Sequence, residues 1–475
     1  KDEDLLERLI YMSAGLEECQ REDGFLFASP EKIFDRVEQK KPAWVPWYTM
    51  HKILSGLLSV YTYTKNETAK KVAENLGKWI SRRCLGWSED VRKQVLAVEY
   101  GGMNDCLYEL YSITQREEFL KAAHQFDEMP LFQQLYEGKD ILNGLHANTT
   151  IPKVLGALKR YCVLGEEEKF YLIAAEKFWD MVVSHHSYVT GGNSEWEHFG
   201  KPDILDGERT SCNCETCNSY NMLKLTKELY RFENQKERMD YYERTMTNHI
   251  LGGREHGTTG ETVYFTPLAP GFHKEFEHEN SCCHGTGLES HFKYADMVYA
   301  HEGQKLYVNL FLKSRLEWKD AGITIRQMTE MEHPETVVLE VESREEFPMA
   351  VRIPGWSGEE RGLWIDGKKQ DTMSVESGYL CMIVPEGVHE IRCLFPCGFY
   401  LESTPDRPEL HSLLYGPYVL AALSKEERFL KLDIDPGKAE QEAEKDGLTF
   451  CYRGLVWKPL FEIDREPFQV YWEKV

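Results

Sequence analysis

The sequence predicts a multidomain α and β protein: an (α/α)6 barrel, a closed toroid of paired helices, followed by an antiparallel β-sandwich. Three observations carry this. Up to about residue 300, apolar residues recur at three- and four-residue spacing, the period of helices that bury one face. Beyond it the pattern changes to short β-branched and aromatic runs with turn residues roughly every eight to twelve positions. No repeat of fixed period runs through the helical part, which argues against a solenoid. The expected domains are 1–300 and 301–475.

Taken in order, inner helices are expected to begin near residues 3, 51, 101, 148, 217 and 286. Further helices are expected in "ETAKKVAENLGKWISRR", "QREEFLKAAHQF", "EEKFYLIAAEKFWDMVV" and "KERMDYYERTMTNHIL". Six inner helices, each followed by an outer one, make the toroid. The sandwich strands are expected in "KLYVNLFLKSRLEW", "GITIRQ", "TVVLEVES", "MAVRIPGW", "GLWIDGK", "GYLCMIV" and "HEIRCLF". Residues 430–475 carry no clear pattern and receive no assignment.

Composition narrows the function. The 475 residues suffice for two or three domains, and 42% hydrophobic content marks a globular chain. No run of eighteen apolar residues exists, so no membrane-spanning helix is expected. A net charge of −23 argues against nucleic acid or an anionic membrane as the main partner. The 13 cysteines are odd in number and cannot all pair within the chain. Eight of them (Cys19, Cys84, Cys106, Cys162, Cys381, Cys393, Cys397 and Cys451) are scattered, mostly in apolar contexts, and read as buried thiols of a reducing, cytoplasmic compartment. An exported form stays open, because the chain starts at Lys1 without an initiator Met.

The other five cysteines are concentrated. "CNCETCNSYNMLKLTKELY" supplies Cys212, Cys214, Glu215 and Cys217, and "ENSCCHGTGLESHFKYADMVY" supplies Cys282, Cys283 and His284. Thiolate, imidazole and carboxylate are the ligands of zinc, and two ligand-dense segments far apart in sequence commonly build one site. Each segment abuts an expected helix start, where thiolates are stabilised. Thr286 and Glu289 match a capping box. A purely structural zinc site, or reactive surface thiols, is the bland alternative; adjacent cysteines speak against it, since structural modules space their thiols as C-x-x-C.

Other polar residues sit at expected inner-helix starts: His51 after "PAWVPWYTM", Asn104 and Asp105 in "EYGGMNDC", and His146 in "NGLHANTTIPK". The Gly-rich "GGNSEWEHF" adds Glu195, Glu197 and His198. In a toroid these starts gather at one rim, where a pocket forms. Any one of these histidines alone reads as an ordinary surface or core residue.

With these motifs in place, "GGNS…EHF", "ETCNSYNMLKLT", "CCHGTGLESH", "PWYTMHKILSGLL" and "LLYGPYVLA" resemble the β-L-arabinofuranosidases of glycoside hydrolase families 127 and 146, from about residue 40 to residue 425. The resemblance implies an (α/α)6 barrel with β-sandwich domains, and a retaining exo-hydrolase that removes β-L-arabinofuranosyl units with a zinc-bound cysteine as nucleophile. It implies Glu197 as general acid/base and Cys282 as nucleophile. Glu215, Cys217, Cys282 and Cys283 are the implied ligands of Zn2+. His51, His146 and Glu243 are implied to bind sugar hydroxyls, with Tyr264 of "VYFTPL" lining the same pocket; Asn104 belongs to that rim. The implied substrate is an arabinose-containing plant oligosaccharide or glycopeptide, and a homo-oligomer is possible. Cys212 and Cys214 are additions to the family's usual motif, either competing for the metal or standing by, and Glu195 is the fallback acid. Three other readings remain: a glycosidase for another pectic sugar, a sugar epimerase or isomerase using His51 or His146, and a non-catalytic sugar-binding protein with structural zinc.

Overall fold

The structure, a computed structural model, describes residues 2–257, 259–277 and 281–475. Glu279 and Asn280, which open the second cysteine segment, lie outside the described residues.

The N-terminal part is helical. Its helices are α1 (Glu3–Cys19), α2 (Lys32–Glu38), α3 (Pro46–Thr64), α4 (Glu67–Cys84), α5 (Glu89–Leu96), α6 (Met103–Thr114), α7 (Glu117–Gln125), α8 (Met129–Tyr136), α9 (Ala147–Leu164), α10 (Lys169–His185), α11 (Thr216–Tyr230), α12 (Lys236–Thr245) and α13 (Cys282–His291). The local causes are visible in α3 and α4. Lys65, at φ +58°, ends α3 in the left-handed region. Asn66 then caps α4 by accepting from the Ala69 amide at 2.9 Å. The stripe Ala69, Val72, Ala73, Leu76 and Ile80 repeats at three and four residues and is fully buried. The short helices α2, α5 and α8 are not among the expected elements; at 7 or 8 residues each shows too few turns for periodicity to register.

The chain divides into two compact units: residues 1–141 with 145–180, and residues 142–144 with 181–475. In the first unit Trp47 packs edge-on against Phe34 and Phe126, at 4.9 and 5.2 Å between ring centroids, inside a core that draws on α2, α3, α4 and α6. Burying each such ring stabilises the unit by about 1.5–3 kcal/mol.

The second unit holds α11 to α13 and all the sheets. Helix gives way to strand between His291 and Tyr299. Two sheets face each other as a sandwich. One has six strands in the order Lys368–Lys369, Gly362–Ile365, Gly387–Leu394, Thr336–Ser343, Ile323–Gln327, Ser314–Trp318. The other has five, in the order Ser374–Glu376, Tyr379–Val384, Phe347–Arg352, Lys305–Val308, Tyr299–Glu302. Inward residues Val337, Leu339, Val341 and Ile391 of the first meet Val308, Met349, Val351 and Leu380 of the second in one core. One pair departs from the expected antiparallel pattern: Lys305–Val308 runs parallel to Phe347–Arg352, with Leu306 opposite Met349.

Residues 399–474, largely unassigned from sequence, build a further sheet of nine strands. One face, with Leu410, Leu414, Val419, Phe468 and Val470, packs against Tyr188, Val189, Leu205, Cys214 and Leu268. The Tyr471 hydroxyl accepts from the Val189 amide at 3.0 Å, and the Asp406 carboxylate accepts from the Asp206 and Gly207 amides, each at 3.0 Å. This sheet is the floor under the loops that carry the candidate site.

Candidate active site and metal centre

The cysteine segments converge at two helix N-termini. Glu215 is the N-cap residue of α11, with Cys217 in its first turn. Ser281 caps α13 and its side chain accepts from the His284 amide, so Cys282 and Cys283 are the first two helical residues. The expected capping box is therefore corrected: Thr286 and Glu289 lie inside α13, which starts five residues earlier than that motif suggests. Thr286 instead places its hydroxyl 3.2 Å from Cys217 Sγ, and Glu289 accepts from the Tyr220 hydroxyl of α11. Amide N–H groups at both helix starts favour negative charge there.

The two helices lie close. Cys283 Sγ is 3.4 Å from Cys217 Sγ, 3.4 Å from Glu215 Oε1 and 4.0 Å from Cys282 Sγ. Ligand atoms of Glu215, Cys217, Cys282 and Cys283 all fall within 4.8 Å of one another, so the group can hold one metal ion. Cys217, Cys283 and Glu215 are buried and Cys282 is half-exposed. Hydrogen bonds from Cys217 and Cys283 hold the Cys282 thiol well below its usual range. Burial and those same contacts push Cys283 up, and its bond to Cys282 pushes Cys217 up.

Strand Thr262–Val263 and the following residues wall the cluster. The Thr216 amide donates to the Tyr264 carbonyl at 3.0 Å and the Thr216 hydroxyl to the Val263 carbonyl at 2.8 Å. A Cβ at Gly287 would sit 2.7 Å from Thr262 Oγ1, so glycine is what lets α13 approach this strand. The Tyr264 hydroxyl then donates to Glu197 and lies 3.6 Å from Cys282 Sγ. Burial, then its bond to Glu197, pushes that phenol well above its usual range.

Glu197 stands on a strained turn. Glu195 and His198 exchange two backbone hydrogen bonds at 3.0 Å, and the residues between them, Trp196 and Glu197, have φ of +44° and +69°. Positive φ at both central positions is the pattern of a type I′ hairpin turn, which favours Asn-Gly. A bulky residue there costs of order 1–2 kcal/mol. It is Glu197, not the neighbouring Glu195, whose carboxylate Tyr264 engages.

The remaining expected residues are placed as follows. Cys214 is buried in the apolar cluster above the C-terminal sheet, 3.6 Å from Thr190 Oγ1, and burial pushes its thiol up to about 12. Cys212 is half-buried beside Ser211. Neither belongs to the group of converging ligands. His284 Nδ1 lies 2.6 Å from the Ser281 hydroxyl. The Glu243 carboxylate accepts from Arg352 at 2.7 Å and Trp356 Nε1 at 2.9 Å, and it lines a cavity of about 800 Å³ whose described walls do not include Cys217, Cys282 or Cys283. Helix α12 turns it toward the β-sandwich. In the first unit, His51 accepts from the Gly102 amide at Nδ1 (3.1 Å), which leaves its ring proton on Nε2. His146 precedes α9 as its N-cap residue and is half-buried. Asn104 donates to Asp127 and the Lys153 carbonyl, each at 3.2 Å, and accepts from the Asp105 amide.

Sequence reasoning missed Tyr264 as the bridge between Glu197 and Cys282, and missed Thr286, Trp196 and Phe265 as neighbours of the site. Ser281 was a usable signal: a serine directly before the cysteine pair is an N-cap candidate.

A family model for the catalytic domain of glycoside hydrolase family 127 β-L-arabinofuranosidases matches residues 1–296. The chain belongs to this family. A second model, for the family's middle domain, matches residues 305–384. This enzyme is thus a glycoside hydrolase. No curated protein matches it by sequence. Among solved structures it is similar to Ara127N, a family 127 β-L-arabinofuranosidase of Geobacillus stearothermophilus T6, with TM-score 0.74 and 16% identity over 100% of this chain and 87% of that one. A second family 127 β-arabinofuranosidase gives 0.76 and 19% over 100% and 85%, and a glycoside hydrolase gives 0.79 and 15% over 100% and 89%. At these identities the likeness concerns the fold: a helical N-terminal part followed by a β-rich C-terminal part.

Proposed function

We propose that this family 127 enzyme is a retaining exo-β-L-arabinofuranosidase, with Cys282 as nucleophile and Glu197 as acid/base, acting on arabinose-containing plant oligosaccharides or glycopeptides. The observation that carries this is the Tyr264 hydroxyl, which touches both Glu197 and Cys282 Sγ. One hydroxyl spanning the gap suits the separation of about 5–5.5 Å that a retaining pair needs.

The chemistry follows from the side chains. Protonated Glu197 gives its proton to the leaving oxygen while Cys282 Sγ bonds to the anomeric carbon and the glycosidic C–O bond breaks. In the second step Glu197 takes a proton from water, the water oxygen displaces the sulfur, and Cys282 returns to thiolate. Two displacements leave the configuration as it began. Tyr264 positions the carboxyl against the sulfur throughout.

The donor set fits zinc. Two thiolates on one tetrahedral zinc lie about 3.8 Å apart for bonds of about 2.3 Å. The sulfur separations of 3.4 and 4.0 Å bracket that value, and three thiols with one carboxylate suit a borderline-soft cation. Glu215, Cys217, Cys282 and Cys283 would hold the ion, whose positive charge keeps the sulfurs as thiolates at neutral pH.

The test is release of L-arabinose from an aryl β-L-arabinofuranoside. The wild type is expected to release it, Glu197→Gln to lose about 10²–10⁴-fold, and Cys282→Ser to lose at least about 10³-fold while still binding zinc. Wild-type turnover by Cys282→Ser would sink the sulfur nucleophile; release of a different pentose or hexose, and not arabinose, would sink the sugar assignment.

A further inference from the structure

We propose that Trp196, backed by Phe265, forms the subsite for the ring attached on the leaving-group side, so that the enzyme selects glycosides whose leaving group presents a flat apolar face: a second sugar ring or an aryl ring. The inference rests on the reading of Glu197 as acid/base and extends it to the other half of the substrate.

Three independent features converge. The indole is 60% exposed, which burial does not account for. Its backbone is held at φ +44° in a turn that Asn or Gly would fill without strain. A strained bulky residue that gains nothing from burial points to a surface use. Finally, the ring contacts tie the indole to the reacting groups. Trp196 packs edge-on against Phe265 at 6.1 Å, Phe265 lies 4.6 Å from Tyr264, and the Tyr264 hydroxyl holds Glu197. The indole and the carboxyl thus stand at opposite ends of one aromatic pair.

Direction follows from chemistry. The general acid meets the leaving oxygen, so the tip of its turn faces the leaving group rather than the sugar that is cut off. Glu197 and Trp196 occupy the two central positions of that turn. A ring joined through the oxygen that Glu197 protonates is therefore offered the indole. Stacking of a sugar or aryl face on tryptophan is one of the common uses of an exposed indole beside a polar group.

The experiment compares kcat/KM for a β-L-arabinofuranosyl disaccharide with that for methyl β-L-arabinofuranoside, in the wild type and in Trp196→Ala, Trp196→Asn and Trp196→Phe. The expected result is that the disaccharide-to-methyl ratio falls about tenfold in Trp196→Ala. Trp196→Asn, which suits the turn, is expected to lose the ratio equally while melting no lower than the wild type, and Trp196→Phe to recover part of it. An unchanged ratio in both Ala and Asn variants overturns the subsite and leaves the proposed function standing. Hydrolysis of neither substrate by the wild type overturns both.

Discussion

Two buried polar clusters in this molecule look alike in burial and differ in purpose. In the first unit, Asp127 is 1% exposed, yet it accepts from Arg160 at 2.8 Å, Tyr108 at 2.5 Å and Asn104 at 3.2 Å, and Arg160 also meets Glu168 at 2.7 Å. Its charge is answered from within. In the second unit, Glu215, Cys217, Cys282 and Cys283 bring four electron donors within 4.8 Å of one another. Groups of like character converge this closely in a folded protein when a cation completes the arrangement. A network that balances its own charge is framework; one that gathers donors alone is a binding site.

The largest expected effect attacks the self-balanced cluster. Arg160→Met strands the Asp127 carboxylate in the interior and is expected to cost about 3–5 kcal/mol in urea denaturation. Zinc content should not change. Loss of metal in that variant would mean the two clusters are not independent, and the contrast would fail.

Next comes the metal. With zinc at 100 to 1,000 times its dissociation constant, the wild type is expected to gain about 3–4 kcal/mol of stability that a chelator removes. In Cys283→Ser, which lacks one of the proposed ligands, the chelator should shift the melting curve far less. Equal shifts would show that the chelator acts elsewhere.

A third case sharpens the contrast through its pH dependence. Lys274 is fully buried and donates to the Leu460 and Ile463 carbonyls at 2.6 and 2.5 Å, and burial lowers its pKa from 10.5 to about 7. Between those values the unfolded chain holds a proton that the folded chain does not, so this group makes stability rise as pH climbs from about 7 toward 10.5 and fall as pH drops back toward 7. Lys274→Met is expected to flatten that rise in denaturation measured across the same pH range. An unaltered slope would assign the charge no cost.

How much of this was legible follows from the range of each signal. Helix starts expected near 3, 51, 101, 148, 217 and 286 meet helices opening at Glu3, Pro46, Met103, Ala147, Thr216 and Cys282, because amphipathic periodicity and caps are local. The crowding of thiols and a carboxylate into two short segments was legible as a candidate metal group, while the four donors that converge were singled out by the family resemblance. The Thr286–Glu289 motif misled because a true motif pattern can fall inside a helix that Ser281 has already started. The parallel pairing of Leu306 with Met349 and the sheet of residues 399–474 left no readable trace: pairing is non-local, and short strands broken by acidic loops carry little period. Glu197 was legible, but the turn it shares with Trp196 was not, for the opposite reason: its residues have unusual backbone angles. They break the rule for their turn, and local rules are broken most at functional sites.

The loop leading to Glu197 is clamped where the Val189 amide meets the Tyr471 hydroxyl, 282 residues later in the chain. At about 5–20 residues per second, a ribosome needs on the order of 15–60 s to travel that distance. Glu197 and Cys282 both precede Tyr471, the residue of the floor that clamps the loop. The clamp on the loop that carries Glu197 therefore closes only after Tyr471 has been made.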